Sequence, residues 1–257
     1  MPSSGSTGHF RRTCGRSPHV LRAAPQAVPR GRNVELLVLD DAEAAAAATA
    51  ERLAEAARAG AEFALTGGST PRRAYELAAR REPDWSRAGA WWGDERCVDP
   101  ADERSNYRLA RESLLDRLAG RPAVHRIRGE LEPQPAAEEY ERELGETRLD
   151  LVLLGIGPDG HVASLFPEAP TLHVRDRKVV AAEAGLEPFV PRVTLTIPAL
   201  EAGAEILFLV TGEEKAEAAR RAFVDEPSER TPASLVRASS GATVAILDRA
   251  AAASIEK

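Results

Sequence analysis

Sulfur and aromatic rings are scarce in this chain. Its 257 residues include only 2 cysteines, 1 methionine, 3 tryptophans, 3 tyrosines and 6 phenylalanines. Two thiols, Cys14 and Cys97, cannot build a disulfide framework or a cysteine zinc site. That excludes a small secreted scaffold and favours a reducing, cytoplasmic setting. No apolar run approaches the ~18–20 residues of a membrane helix, so no membrane partner is expected. Basic charge is also in deficit, with a formal net charge of −6. A nucleic-acid binder normally carries a basic patch, so no nucleic-acid partner is expected either. What is present is a hydrophobic fraction of 43% against 5% aromatics, so the core must be built from Leu, Val, Ile and many Ala. At roughly 150 residues per domain, this length fits one large α/β domain as well as two small ones.

The charge is unevenly spread. Residues 1–33 hold six arginines (Arg11, Arg12, Arg16, Arg22, Arg30 and Arg32) and no Asp or Glu, a local +6 against −12 for the remainder. The stretch is rich in Ser, Gly and Pro and has no apolar period, which reads as a disordered basic tail. It lacks the apolar segment of a secretory leader; an Arg-rich organelle leader or an interaction tail are the other readings of that composition. Residues 34–257 read as a single α/β domain.

From Val34 onward, short β-type runs alternate with helical patterns. Runs at 34–39, 61–66, 90–93, 149–154, 179–182, 192–197, 206–210 and 243–247 read as strands, with a further short one at 125–127. Helices are expected from Asp40 and Asp41 to about Ala59, after Pro71, after Ser105 (face Leu109, Leu114, Leu115, Leu118), over 135–145, over 213–223 and at the carboxyl end. Run 149–154 is almost wholly apolar, as a strand buried on both faces should be. The alternation predicts βαβ units and a mainly parallel sheet with helices on both faces. Ligands of such sheets bind beyond the strands' carboxyl ends. Segments 66–71, 93–96 and 155–167 would all stand there.

Each has its own chemistry. In Gly67-Gly68-Ser69-Thr70-Pro71 the glycines allow a sharp turn, Ser69 or Thr70 can cap, and Pro71 suits a first helical position. The helix start would cradle a phosphate; the plain alternative is a tight, well-capped connection. No Gly-Lys-Ser/Thr follows, so this is not a P-loop. In Asp94-Glu95-Arg96 one carboxylate could hold the guanidinium ready for an oxyanion or phosphate, although such triplets are commonly surface ion pairs. Cys97 beside it reads as a small buried residue. Gly155-Ile-Gly-Pro-Asp-Gly160 fits a dinucleotide fingerprint by letter, but Pro158, Pro167 and Pro170 forbid the crossover helix that fingerprint needs. The loop offers His161 instead, with Asp159 two residues earlier: a candidate general base and a carboxylate to fix its tautomer. His9 and His19 lie in the basic tail, and His125 and His173 have no Gly-rich or acidic sequence context, so these four read as capping or core histidines.

Taken together, residues 65–71, Trp92-Gly-Asp-Glu-Arg96, Ser105-Asn-Tyr107, residues 153–167 and Pro191-Arg-Val-Thr194, with Gly212-Glu-Glu-Lys215 more weakly, resemble the 6-phosphogluconolactonases. The resemblance runs in order from about Val34 to Ala253; residues 1–33 lie outside it and 235–245 fit loosely. It implies a three-layer, modified Rossmann-like α/β sandwich related to the glucosamine-6-phosphate deaminases. It also implies hydrolysis of 6-phospho-D-glucono-1,5-lactone to 6-phosphogluconate, the second step of the oxidative pentose phosphate pathway. The expected partner is that small phosphosugar lactone, the expected assembly a monomer or weak dimer, and no metal or cofactor is expected. Position by position, His161 would be the general base and Asp159 its orienting partner. Gly67, Gly68, Ser69 and Thr70 would line the phosphate site. Arg96, Arg192 and Lys215 would bring positive charge to phosphate or lactone oxygen, and Asp94 and Asn106 would order the rim. Two alternatives share the fold: a sugar-phosphate isomerase or deaminase, and a non-catalytic sugar-phosphate sensor. The first continues its Asp-Gly-His with an acid where this chain has Phe166. The second is normally fused to a DNA-binding domain, for which residues 1–33 are too short.

Overall fold

Alanine sets the architecture. Helix α1 (Ala42–Ala59) buries Ala45, Ala46, Ala50, Ala54 and Ala57 around Leu53, and such small side chains let it lie close to its neighbours. Asp41 caps it, accepting the Ala44 N–H at 2.8 Å, and Gly60 ends it in the left-handed conformation that glycine adopts without cost. A computed structural model describes residues 34–255. The expected basic tail at 1–33 lies outside them.

The elements follow in the order β1 (Val34–Leu39), α1, β2 (Glu62–Leu65), α2 (Thr70–Arg81), β3 (Gly89–Trp92), β4 (Asp94–Arg96), α3 (Asn106–Ser113), β5 (Ala123–Val124), α4 (Pro133–Leu144), β6 (Leu151–Leu154), β7 (Val179–Ala182), β8 (Arg192–Leu195), α5 (Ile197–Glu201), β9 (Glu205–Val210), α6 (Ala216–Phe223), β10 (Ala242–Asp248) and α7 (Arg249–Ala252). Seven strands form one parallel sheet in the order β1-β10-β9-β6-β2-β3-β5, flanked by helices. Its middle strand β6 is buried throughout, as its unbroken apolar run requires. The chain moves outward from β2 to β3 and β5, and in the opposite direction from β6 to β9 and β10. The switch of direction falls between β2 and β6, where a parallel sheet opens a crevice at its carboxyl edge.

Several expectations are corrected. Runs 179–182 and 192–197 do not join the parallel sheet. They supply β7 and β8 of a separate three-stranded antiparallel sheet, in which β8 is the middle strand between β4 and β7. Residues 94–96 are thus a strand and not the end of one. The sequence pattern misses this because both sheets use short, apolar-rich runs, and partner choice is tertiary. The edge strand expected at 125–127 sits at Ala123–Val124, with His125 N–H still bonded to the Ala90 carbonyl at 2.9 Å. Helix α3 ends at Ser113, so Leu114, Leu115 and Leu118 are buried from the tight turn that follows. Neither Ser69 nor Thr70 caps α2 through its side chain.

Among the described residues no helix is long and apolar enough to cross a membrane.

Candidate active site

The strand ends that face the crevice are closed by two buried tyrosines. The Tyr75 hydroxyl, from α2, accepts the Thr66 N–H at 2.9 Å and donates to the Thr66 carbonyl at 2.8 Å. The Tyr140 hydroxyl, from α4, does the same for Trp92, at 2.8 and 3.0 Å. Each satisfies the backbone just where the chain leaves the sheet, so the segments that follow start from fixed points.

After β2 the chain turns through Gly67 and Gly68, the latter at φ +92°, and enters α2. The first turn of α2 has no acidic residue, so its positive end is open to the crevice. Gly67 is pressed against Asn106: a Cβ there would come within 1.8 Å of the Asn106 side-chain oxygen. Asn106 is 1% exposed and donates its amide to the Asp94 carbonyl at 2.9 Å and carboxylate at 3.1 Å.

The expected pairing inside 94–96 does not occur. Among the described residues neither Asp94 nor Glu95 forms an ion pair with Arg96. Glu95 turns inward and receives four donors: the N–H groups of Arg96, Asn106 and Tyr107 at 2.7, 2.7 and 2.8 Å and the Ser105 hydroxyl at 3.0 Å. Two of those N–H groups open α3, so a carboxylate from another element serves that helix start, beside the Ser105 hydroxyl that accepts the Arg108 N–H. Burial pushes Glu95 up to about 6, against the pull of those N–H groups. Asp94 instead accepts the Ser164 hydroxyl at 2.6 Å, tying β4 to the loop after β6. The Arg96 guanidinium keeps one bond, to the Arg104 carbonyl, and faces the crevice. Cys97 is only partly buried, and burial lifts its thiol to about 11, which leaves it unionised and a poor nucleophile.

The loop after β6 folds on itself. Gly157 N–H bonds the His161 carbonyl and Gly160 N–H the Gly157 carbonyl, each at 2.9 Å. One Asp159 oxygen meets both the His161 N–H at 3.1 Å and Nδ1 at 2.6 Å. Burial raises the Asp159 carboxyl, but the His161 contacts outweigh it and hold it below its ordinary value. With Nδ1 donating to that carboxylate, Nε2 carries the lone pair. Gly157 has no room for a side chain: a Cβ would lie 2.0 Å from His161 Nδ1 and 2.5 Å from the Asp159 oxygen. Ala163 sits at φ +51°, a rare conformation for a residue with a side chain.

These pieces line one cleft of about 260 Å³. Gly67, Gly68, Ser69, Thr70, Asp94, Arg96, Asn106, His161, Arg192 and Lys215 all border it, and Asp159 stands behind His161. Burial and the like charge of Arg96 lower the Arg192 guanidinium's proton affinity, and burial lowers that of Lys215 against the pull of Glu214 and Asp159. Lys215 is placed by Gly212, whose N–H reaches the Asp248 carboxylate at 3.1 Å. The sequence pattern marks Glu95 only as a partner for Arg96 and does not mark Ser164, Tyr75, Tyr140 or the cleft-lining Leu186 and Glu214; a lone polar residue in an apolar stretch, as Ser164 is before Leu165 and Phe166, was the one available signal. His125 proved neither cap nor core: it stacks on Trp91 at 4.0 Å and meets Glu143 at 2.7 Å, far along the chain. Among the described residues no three His, Cys, Asp or Glu side chains gather as a metal site.

A family model described as glucosamine-6-phosphate isomerases/6-phosphogluconolactonase matches residues 39–245. A 6-phosphogluconolactonase of Streptomyces coelicolor is 34% identical over 249 residues, 87% of this chain and 95% of that protein. The 6-phosphogluconolactonase of Homo sapiens is 38% identical over 209 residues, 76% of this chain and 81% of that one. Among solved structures, 6-phosphogluconolactonase from Trypanosoma cruzi superposes with a TM-score of 0.78 at 26% identity, covering 88% of this chain and 98% of that one.

Proposed function

This chain belongs to the glucosamine-6-phosphate isomerase/6-phosphogluconolactonase family, and we propose that within it the chain acts as a hydrolase that opens 6-phospho-D-glucono-1,5-lactone to 6-phosphogluconate. The observation that carries the reading is the shared cleft: an imidazole fixed at 2.6 Å by Asp159 borders the same cavity as the open start of α2 and three cationic side chains. A lactone is an activated ester, so a positioned base and an electrostatic cradle suffice for its chemistry.

The substrate's phosphate rests on the Gly67–Thr70 turn, where backbone N–H groups and the α2 dipole favour an anion. Anchoring that remote group orients the carbonyl. His161 Nε2 takes a proton from water as its oxygen bonds to C1, and the carbonyl oxygen becomes an oxyanion. Arg96, Arg192 or Lys215 stabilises that charge, an effect of ~10²–10³ in rate. The C1–O5 bond then breaks, the electron pair goes to the ring oxygen, and His161 returns the proton there; the base contributes ~10²–10⁴. Asp159 holds the tautomer and stabilises the transient imidazolium. The isomerase reading is disfavoured at Phe166, which lies 4.8 Å from the imidazole and puts a ring where ring-opening needs an acid. A cytoplasmic location and a monomeric or weakly dimeric state belong to the same proposal, for fractionation and sedimentation to test.

The test is a coupled assay. Lactone is generated from glucose 6-phosphate by its dehydrogenase, and acid release is followed with and without the protein. Release well above the spontaneous rate is expected. A folded protein that leaves that rate unchanged overturns the reading, and ammonia released from glucosamine 6-phosphate would put the deaminase in its place.

A further inference from the structure

Three elements of the cleft meet on one aromatic ring. Phe166 is 4% exposed and belongs to the same loop as His161. Its ring lies 4.8 Å from the imidazole, with the planes at 40°. The guanidinium carbon of Arg192, from β8, stands 5.5 Å from the ring centroid. From a third side Gly185 closes in so tightly that a Cβ there would lie 2.7 Å from the ring carbons. We propose that Phe166 is a positioning residue of the reaction, setting the rotation of His161 and the separation between that base and the Arg192 cation.

Each partner needs this support. Among the described residues the His161 side chain has one hydrogen bond, at Nδ1, and Gly157 packs beside the same edge of the ring, which leaves the opposite edge free to move. The Phe166 ring removes that freedom and keeps Nε2 on the cleft. Arg192 is 3% exposed, and its Nη2 donates to the Leu186 and Pro188 carbonyls at 3.2 and 3.0 Å. Its Nε is buried without a hydrogen-bond partner, so the ring's negative π-face adds attraction at close range to the longer-range pull of Asp94 and Glu95. Burial, and after it the like charge of Arg96, lower its proton affinity, so a favourable contact for the cation matters here. An apolar ring is also a spacer: it keeps a cation from the imidazole that must itself become positive during turnover.

The inference rests on His161 being the base, so its test has a readout that needs no turnover. Phe166→Leu, Phe166→Tyr and Gly185→Ala are compared with wild type in the lactone assay and by NMR of the Nδ1 proton shared with Asp159. Displacement of a catalytic group by about 1 Å costs up to about 100-fold, so Phe166→Leu should lower kcat about tenfold and raise KM about threefold. Its Nδ1 resonance should broaden into exchange. Phe166→Tyr keeps the ring and should stay within about threefold on both parameters, and Gly185→Ala, which pushes the ring by its Cβ, should follow Phe166→Leu to a smaller extent. Thermal melts identify variants that fold; if Phe166→Leu does not, Gly185→Ala carries the test. A folded Phe166→Leu with wild-type kcat overturns the proposal, as does a fall in kcat with an unchanged Nδ1 resonance, which marks packing alone. An inactive wild type whose resonance is lost in Phe166→Leu would remove the lactonase reading and leave the positioning role standing.

Discussion

The turn 67–71 and the loop 155–167 leave the carboxyl ends of adjacent parallel strands, β2 and β6, and both begin with glycines. The first runs into an α-helix of 12 residues; the second reaches only the four-residue 3-10 turn Pro170–His173, because Pro158, Pro167 and Pro170 interrupt it. That difference decides what each can offer a ligand. Where a helix follows, unpaired backbone N–H groups and the dipole face the cleft, and the side chains need only be small. Where no helix can form, the loop must satisfy its own polar groups, as Gly157 and Gly160 do through 2.9 Å bonds within it. What it then presents is a side chain, His161. One segment suits holding an anion, the other suits moving a proton.

The division is broken most directly at the histidine. His161→Ala should lower kcat by ~10²–10⁴ and leave inhibition by 6-phosphogluconate nearly unchanged, since the anion turn is untouched. Undiminished turnover would refute the base.

Next in size are paired glycine variants. In Gly157→Ala the new Cβ meets His161 Nδ1 at 2.0 Å and the Asp159 oxygen at 2.5 Å, so the pair must move. About a 100-fold loss in kcat is expected, with KM little changed. In Gly67→Ala the Cβ meets the Asn106 side-chain oxygen at 1.8 Å and shifts the turn. Losing about 1.4 kcal/mol of anion binding there would raise KM about tenfold while kcat holds. If the two variants change the same kinetic parameter, the division of labour between the loops is wrong.

How much of this was legible in the sequence depends on the range of the interaction. The parallel strands, the Ala-rich helix and both glycine segments are set by residues within a few positions, so periodicity and turn chemistry reveal them. The small sheet of β4, β7 and β8 was not legible, because Asp94–Arg96 finds its partner at Arg192–Thr194, about a hundred residues away. The same holds within the site. Asp159 and His161 are two apart and were readable as a pair. Glu95 looked like a partner for Arg96 because the two are adjacent, yet its carboxylate reaches residues 105–107, ten to twelve positions on. Ser164 bonds Asp94 across 70 positions, and no local pattern announces that contact.

Glu95 also supplies the smallest effect, and it touches one side of the comparison only. Its carboxylate holds the start of α3, whose Asn106 backs the Gly67 turn; among the described residues its hydrogen-bond partners are Arg96 and residues 105–107, none of them in the His161 loop. Burial is the main reason it rises from 4.5 to about 6, with Asp94 adding and the Tyr107, Asn106 and Arg96 N–H groups opposing. A carboxyl raised in the folded state binds its proton more tightly there than in the unfolded chain. Its contribution to stability is therefore present at low pH and is lost as pH rises through about 6. The shift corresponds to about 2 kcal/mol between the two ends of that window. Glu95→Gln has no such proton to bind, and its amide also faces donors, so it should melt lower at every pH. The gap to wild type should widen by about 3–6 °C from pH 7 to pH 4.5. A gap that stays constant over that range would mean Glu95 does not titrate there. In that case the four donors hold its carboxylate ionised, and burial does not govern the site.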